Sequence, residues 1–253
     1  MKLLPADRKI ITAVIVCISF LSWTLLLFNP GHILGIIHCH MSGMGASPAS
    51  LQMMLMMNPI SGLMTGWALM VTAMMLPKLI LPIQYIYSRS FKNRRFTAAL
   101  LFVFGYAAVW IAAGIIVIAI ELTFNLFLPN SYLPIIPIAI LMIVWQISPA
   151  KQYCLNKGHE HPALAAFGWP ASRDAFKFGI HHGRWCVASG WALMLFPMLL
   201  SGGHQIAMIF ATFVMLGEHL EHPQTPRWQN KLRTRLIRIA YIQTTMLLKQ
   251  RAG

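Results

Sequence analysis

Apolar runs of membrane-crossing length, separated by short segments that hold most of the charge, constrain this chain more than any other feature. Residues 10–28 form the first run, preceded by Lys2, Arg8 and Lys9. It is long for the apolar core of a secretory leader and no small-x-small cleavage site follows, so it is expected to persist as a first span. Further runs occupy 58–87, 96–128, 133–147, 184–200 and 204–220. Only 10% of the 253 residues are charged and 57% are hydrophobic. Soluble domains carry about 25% charged residues, so the chain reads as an all-α polytopic membrane helix bundle with six transmembrane helices.

The charges orient those spans. Arg89, Lys92, Arg94 and Arg95 follow the second run, and Lys151, Lys157, Arg173 and Lys177 lie in the polar segment 148–183. Residues 32–57 and 129–132 carry no positive charge. Positive loops stay inside, which places both termini in the cytoplasm of a bacterial inner membrane. The formal net charge of +14 is therefore loop charge. No nucleic-acid-binding module is recognisable and no nucleic-acid partner is expected. Residues 1–226 form the membrane domain, with an extracytoplasmic loop at 29–58, and 227–253 form a basic tail. In that tail Arg227, Lys231, Arg233, Arg235 and Arg238 accompany Trp228, Leu232, Leu236 and Ile239 at helical spacing. This predicts an amphipathic helix on the anionic inner leaflet of the lipid bilayer, with a partner-docking helix as the alternative.

The second run contains Pro77 and Pro82. Each removes a backbone donor, so the helix is expected to break near its inner end. Lys78 between them is expected to snorkel to the interface rather than line an internal polar cavity. Glu121 and Glu218 are the deep carboxylate candidates, with Glu218 expected to be solvated near the interface.

Methionine is concentrated early: ten of the seventeen lie between Met41 and Met75. The phrase GWALM occurs at 66–70 and again at 190–194, and the matching extends to Met74/Met198 and Leu76/Leu200. In a six-span arrangement these are the second and fifth helices, running oppositely, which is the pattern of a 3+3 inverted repeat. Met70 and Met74 share one helical face, as do Met194 and Met198. Small residues at Gly66, Ala68, Gly190 and Ala192 would let the helices approach. Four thioethers would then converge, a soft ligand set for Cu(I). The alternative is ordinary packing by flexible methionines.

Just before the second span, His32, His38, Cys39, His40, Met41 and Met44 crowd an uncharged loop. Imidazole, thiolate and thioether together are the ligand types of copper, and zinc gains nothing from methionine. The following Met53, Met54, Met56 and Met57 line an entry path or form an interfacial helix. On the cytoplasmic side Cys154, His181, His182 and Cys186, with His159 and His161, offer a second metal site. The four cysteines of the chain form no C-x-x-C pair and no disulfide framework.

The segments MVTAMMLP (70–77), WQISPAKQYCL (145–155) and FGIHHGRWCVASGWALM (178–194) resemble the DUF2182 family, described as metal-binding integral membrane proteins. The resemblance implies roles for Met74, Met75, Cys154 and Cys186 and a turn at Gly183 before the fifth helix. Members often carry cysteines where this chain has Gly158, Ser189 and Gly190. That moves the expected ligands from thiolates to methionine and histidine, weighted to the outer loop.

The function expected is non-enzymatic handling of Cu(I), by chaperone, delivery or transport, towards a cuproenzyme. The competing expectation is an accessory or assembly subunit of a larger membrane oxidoreductase complex. No nucleophile with a positioned base is readable, so no enzyme is expected. A membrane-impermeant thiol reagent outside intact cells should label Cys39 and leave Cys154 unmodified; the reverse pattern would invert the topology.

Overall fold

The structure is a computed structural model and describes residues 4–28, 48–127, 135–165, 167–200 and 203–228. The His38–Met44 cluster, His32 and the tail beyond Trp228 lie outside the described residues. Every regular element described is helical. Helix α1 is Pro5–Phe28, α2 Pro48–Met57 and α3 Ile60–Met75; a 3-10 turn, Leu76–Leu79, leads into α4, Ile80–Arg89. Then come a 3-10 turn at Lys92–Arg94, α5 Arg95–Phe127, α6 Ile135–Ile147, α7 Pro149–Gly158, α8 Gly168–Met198 and α9 His204–Leu220.

Three of these stretches are long and apolar enough to cross a membrane, namely α1, α3–α4 together and α5 with its leading turn. The pair α6–α7, bent by 62° at Ser148, would make a fourth. The expected six spans are thus not all matched by helices of spanning length among the described residues. Helix α6 has 13 residues and α9 has 17, short of the roughly 20 that a bilayer core needs. The outward surface is nonetheless apolar, with Phe20, Phe28, Phe104, Ile116, Ile140, Phe210 and Phe213 exposed. The interior holds Lys78, Glu121, Lys151, His182 and Glu218. This inversion of the usual soluble arrangement is what an apolar solvent favours.

The prolines act as the sequence predicts. The helix from Ile60 ends at Met75, and the 3-10 turn carries Pro77. Pro77 has no N–H to offer the Ala73 carbonyl four residues back. Ser19 of α1 takes that place, its Oγ donating to the Ala73 oxygen at 2.7 Å. The break is therefore locked from outside the helix. It carries Lys78 inward: its residue exposure is 5%. The expectation that Lys78 snorkels is corrected. A turned backbone aims the stem into the bundle before it can reach an interface.

The most extensive helix pairing joins α5 and α8. They run parallel, with Gly179 seated on the backbone of Phe102 and Tyr106, and Gly183 on Tyr106 and Val109. Gly105 faces the backbone of Phe176 and Ile180 in return. With apolar groups on every side, tight van der Waals contact between small residues holds such a crossing together. It also explains two departures from expectation. Helix α8 starts at Gly168 rather than near residue 184, because residues 175–183 supply half of this interface. Gly183 is a mid-helix contact, not a turn.

The two GWALM helices, α3 and α8, do not form a principal pair; both pack on α5. Trp67 donates from Nε1 to the Trp110 carbonyl at 2.8 Å and lies over Gly114 of α5. Trp191 instead faces Trp145 of α6, ring centroids 5.5 Å apart. Under 3+3 symmetry the partner of Trp191 would lie on α9, so the two tryptophans are not in equivalent surroundings. Gly190 does not meet α3 either; it faces the Met215 sulfur of α9.

Gly179→Ala is expected to lower the melting temperature in detergent clearly more than Gly190→Ala. The first methyl meets rigid backbone and the second a flexible thioether, and overpacking that cannot relax costs about 1–3 kcal/mol. Equal shifts in a thermal melt would count against this assignment of the crossing.

Candidate metal centre

The backbone break at Pro77 and Pro82 also shapes a polar cavity. Pro82 can offer no N–H to the Lys78 carbonyl. The His219 ring, from α9, approaches that carbonyl. Among the described residues His219 Nε2 is buried without a hydrogen-bond partner, which leaves Nδ1 to face the carbonyl. A ring that donates from Nδ1 to a main-chain carbonyl carries its lone pair on Nε2, which is the arrangement found behind metal-ligating histidines.

The cavity has a volume of about 20 Å³ and is lined by Lys78, Cys154, His159, His182, Cys186 and His219, among others. That is room for one water or one ion. Cys154 comes from α7, His182 and Cys186 from consecutive turns of α8, and His219 from α9. The His182 and His219 ring centroids are 6.3 Å apart, nearly perpendicular at 82°. Cys186 Sγ lies 3.3 Å from the Tyr106 hydroxyl and 3.9 Å from Lys78 Nζ. Lys78 makes no ion pair among the described residues. Gly158 and Ser189 also line the cavity. The fold thus gathers into one pocket residues that are far apart in sequence.

Not every imidazole here is available. His159 turns Nδ1 to the Leu155 carbonyl at 2.7 Å and Nε2 to the His219 carbonyl at 3.0 Å, strapping α7 to α9. Among the described residues, no three His, Cys, Asp or Glu side chains already stand as a set able to hold a metal ion. Cu(I), a soft d¹⁰ ion, is satisfied by two or three soft ligands, and Cys154, Cys186 and His219 lie around one small space.

A buried polar network lies next in sequence to the cavity residues of α7 and α9. Lys151 Nζ lies 2.6 Å from Glu218 Oε1, with side-chain exposures of 0% and 3%. Gln146 completes it, accepting from Lys151 and donating to Glu218. The network spans the α6–α7 bend and α9, and Glu218 precedes His219 directly. The expectation that Glu218 is solvated is corrected: Lys151 supplies the charge that lets a carboxylate stay buried.

Of the other sequence candidates, His181 faces away from the cavity. It borders a groove of about 730 Å³ with His161, Lys177 and Arg184. Met70, Met74, Met75 and Met194 are buried in the core and Met198 is half-buried. Met70 and Met198 border one small cavity together with Glu121. The methionine-rich segment after the outer loop is the short helix α2, with Met53, Met56 and Met57 exposed. Arg227 and Trp228 are exposed. Sequence reasoning left His219 and Lys78 out of the metal set. The signal was present in the spacing of Pro77 and Pro82, which frees carbonyls for side-chain donors.

The sequence profile of the PpoB2 family, described as a copper chaperone, matches residues 64–242. No curated protein and no solved structure matches the chain. The matched span is most of the chain, and the chain belongs to this copper-chaperone family. It includes Lys78, Cys154, His182, Cys186 and His219 and leaves out the loop at 29–58.

Glu218→Gln is expected to destabilise the protein by about 3 kcal/mol or more, because it strands the Lys151 charge in the interior. The double variant Lys151→Met/Glu218→Met should recover much of that loss. Denaturant unfolding in detergent micelles measures both, and a double variant no better than the single would argue against the pair.

Proposed function

We propose that the protein is an integral membrane chaperone for Cu(I), holding the ion in the cavity between Cys154, Cys186 and His219 with His182 beside it. The single observation that carries this reading is the orientation of His219, whose lone pair is buried and unpartnered in a cavity bearing two cysteines. The family's description as a copper chaperone supplies the metal, and the soft donors suit its reduced state. Lys78 gives a metal thiolate formed at Cys186 a cation within reach, which limits the cost of burying that charge.

In this reading copper is cargo, not a resident cofactor, and the chain catalyses no reaction. The chain sits in a bacterial inner membrane as six spans with both termini cytoplasmic, so the cavity lies towards the cytoplasmic side. The loop bearing His38, Cys39, His40, Met41 and Met44 collects copper outside. The basic tail lies on the inner leaflet, and the recipient is a cuproenzyme or a larger membrane complex. Supporting this are the apolar exterior, the distribution of Lys and Arg, and the ligand types in the loop.

Cu(I) titration of detergent-solubilised protein under reducing conditions tests the proposal. Cys154→Ser/Cys186→Ser should lose one bound equivalent, and His219→Ala should weaken that equivalent by about tenfold or more. His38→Ala/Cys39→Ala should lose a separate one. Unchanged stoichiometry in the double serine variant would overturn the assignment of the cavity.

A further inference from the structure

At the other end of α3 from the cysteine cavity, Met70, Met198 and Glu121 surround a space of about 10 Å³, with Gly66, Trp67 and apolar side chains completing its wall. Glu121 has 5% exposure. Among the described residues its buried Oε2 has no hydrogen-bond partner. The polar side-chain group that shares the described lining, the Trp67 indole N–H, is already committed to the Trp110 carbonyl. A carboxylate oxygen in such a place is unstable unless a cation or a proton joins it. Both remaining polarisable groups are thioethers, which leave hard cations to water and favour soft monovalent ones.

We infer that Met70, Met198 and Glu121 form a second binding site for Cu(I), a dithioether–carboxylate pocket remote from the cysteine cavity. It rests on the reading of the chain as a copper carrier and extends it to a site that neither the family description nor the cysteines indicate. Two neutral sulfurs alone would leave a buried positive charge. The carboxylate makes the assembled unit neutral, which is the form a low-dielectric interior tolerates. The cavity has space for about one unhydrated ion. Met70 and Lys78 are eight positions apart along α3 and the 3-10 turn that follows it, about 12 Å of helix, and Met74 and Met75 between them are buried. The two sites are therefore separate cavities with two buried thioethers on the helix between them.

The test uses Ag(I), a redox-inert stand-in for Cu(I), on the full chain in detergent. The background carries Cys154→Ser/Cys186→Ser and His38→Ala/Cys39→Ala, which removes the thiols of the cavity and of the outer loop. This background should still bind one Ag(I), with two sulfur neighbours and one oxygen in its X-ray absorption spectrum. Met70→Leu/Met198→Leu should abolish that equivalent. Glu121→Gln, which keeps size and shape, should weaken it by about tenfold or more. Equal affinity in Glu121→Gln would show a carboxyl that merely carries its own proton, and would overturn the site. So would an Ag(I) equivalent retained without Met70 and Met198. Should the methionine variant fail to fold, Glu121→Gln decides alone. Because Cys154 and Cys186 are absent throughout, this site stands or falls separately from the cysteine cavity.

Discussion

Main-chain carbonyls that a helix cannot satisfy for itself govern this structure. Pro77 and Pro82 leave donors missing inside a long apolar helix, where water is not available to repair them. The repairs come from other helices: a serine hydroxyl of α1 reaches the Ala73 carbonyl, and the His219 ring of α9 reaches that of Lys78. Each repair is also a tertiary contact. The broken helix is thereby fixed to two neighbours at the level where a lysine turns inward and two cysteines from other helices converge.

The polar interior follows from the same constraint. A buried ammonium, a buried ion pair and several imidazoles would be ruinous in an uncoordinated core. Here each has a role set by geometry. Lys151 and Glu218 satisfy one another through Gln146. His159 is used as a strap between carbonyl groups. Among the described residues His219 Nε2 has no partner, while Cys186 Sγ is approached by the Tyr106 hydroxyl and Lys78. Histidines of one cluster thus differ in their hydrogen-bond partners, and those partners separate a structural ring from one proposed as a ligand.

Much of this was legible in the chain itself. The helical class, the end of the first helix at Phe28, the break at Pro77 and the extent of α9 all follow from apolar runs and prolines. The copper association was readable from soft ligand types, and the family agrees with it. Two kinds of information were not local. Whether Lys78 points to an interface or inward depends on a turn of the backbone, not on composition. Whether GWALM helices meet depends on α5, whose contact with α8 is encoded by Gly179 and Gly183. That stripe was visible as small-x-x-x-small, yet its polar neighbours His181, His182 and Arg184 disguised a packed helix as a loop. The repeated phrase drew attention to residues with different tasks: one tryptophan seals α3 to α5, the other leans on α6.

The interlocked crossing of α5 and α8 has a consequence for the proposed exchange of cargo. Cys186 and His182 belong to a wall whose backbone atoms are in direct contact with the neighbouring helix, so that wall cannot part by degrees. The opposite wall is built differently: Cys154 rides on the ten-residue α7, hinged at a 62° bend and tethered by polar side chains. One sulfur is therefore carried by an anvil and the other by a lever. In the proposed chaperone, handing an ion onward would call for movement of that lever, and the ion pair at its base would set how readily it swings.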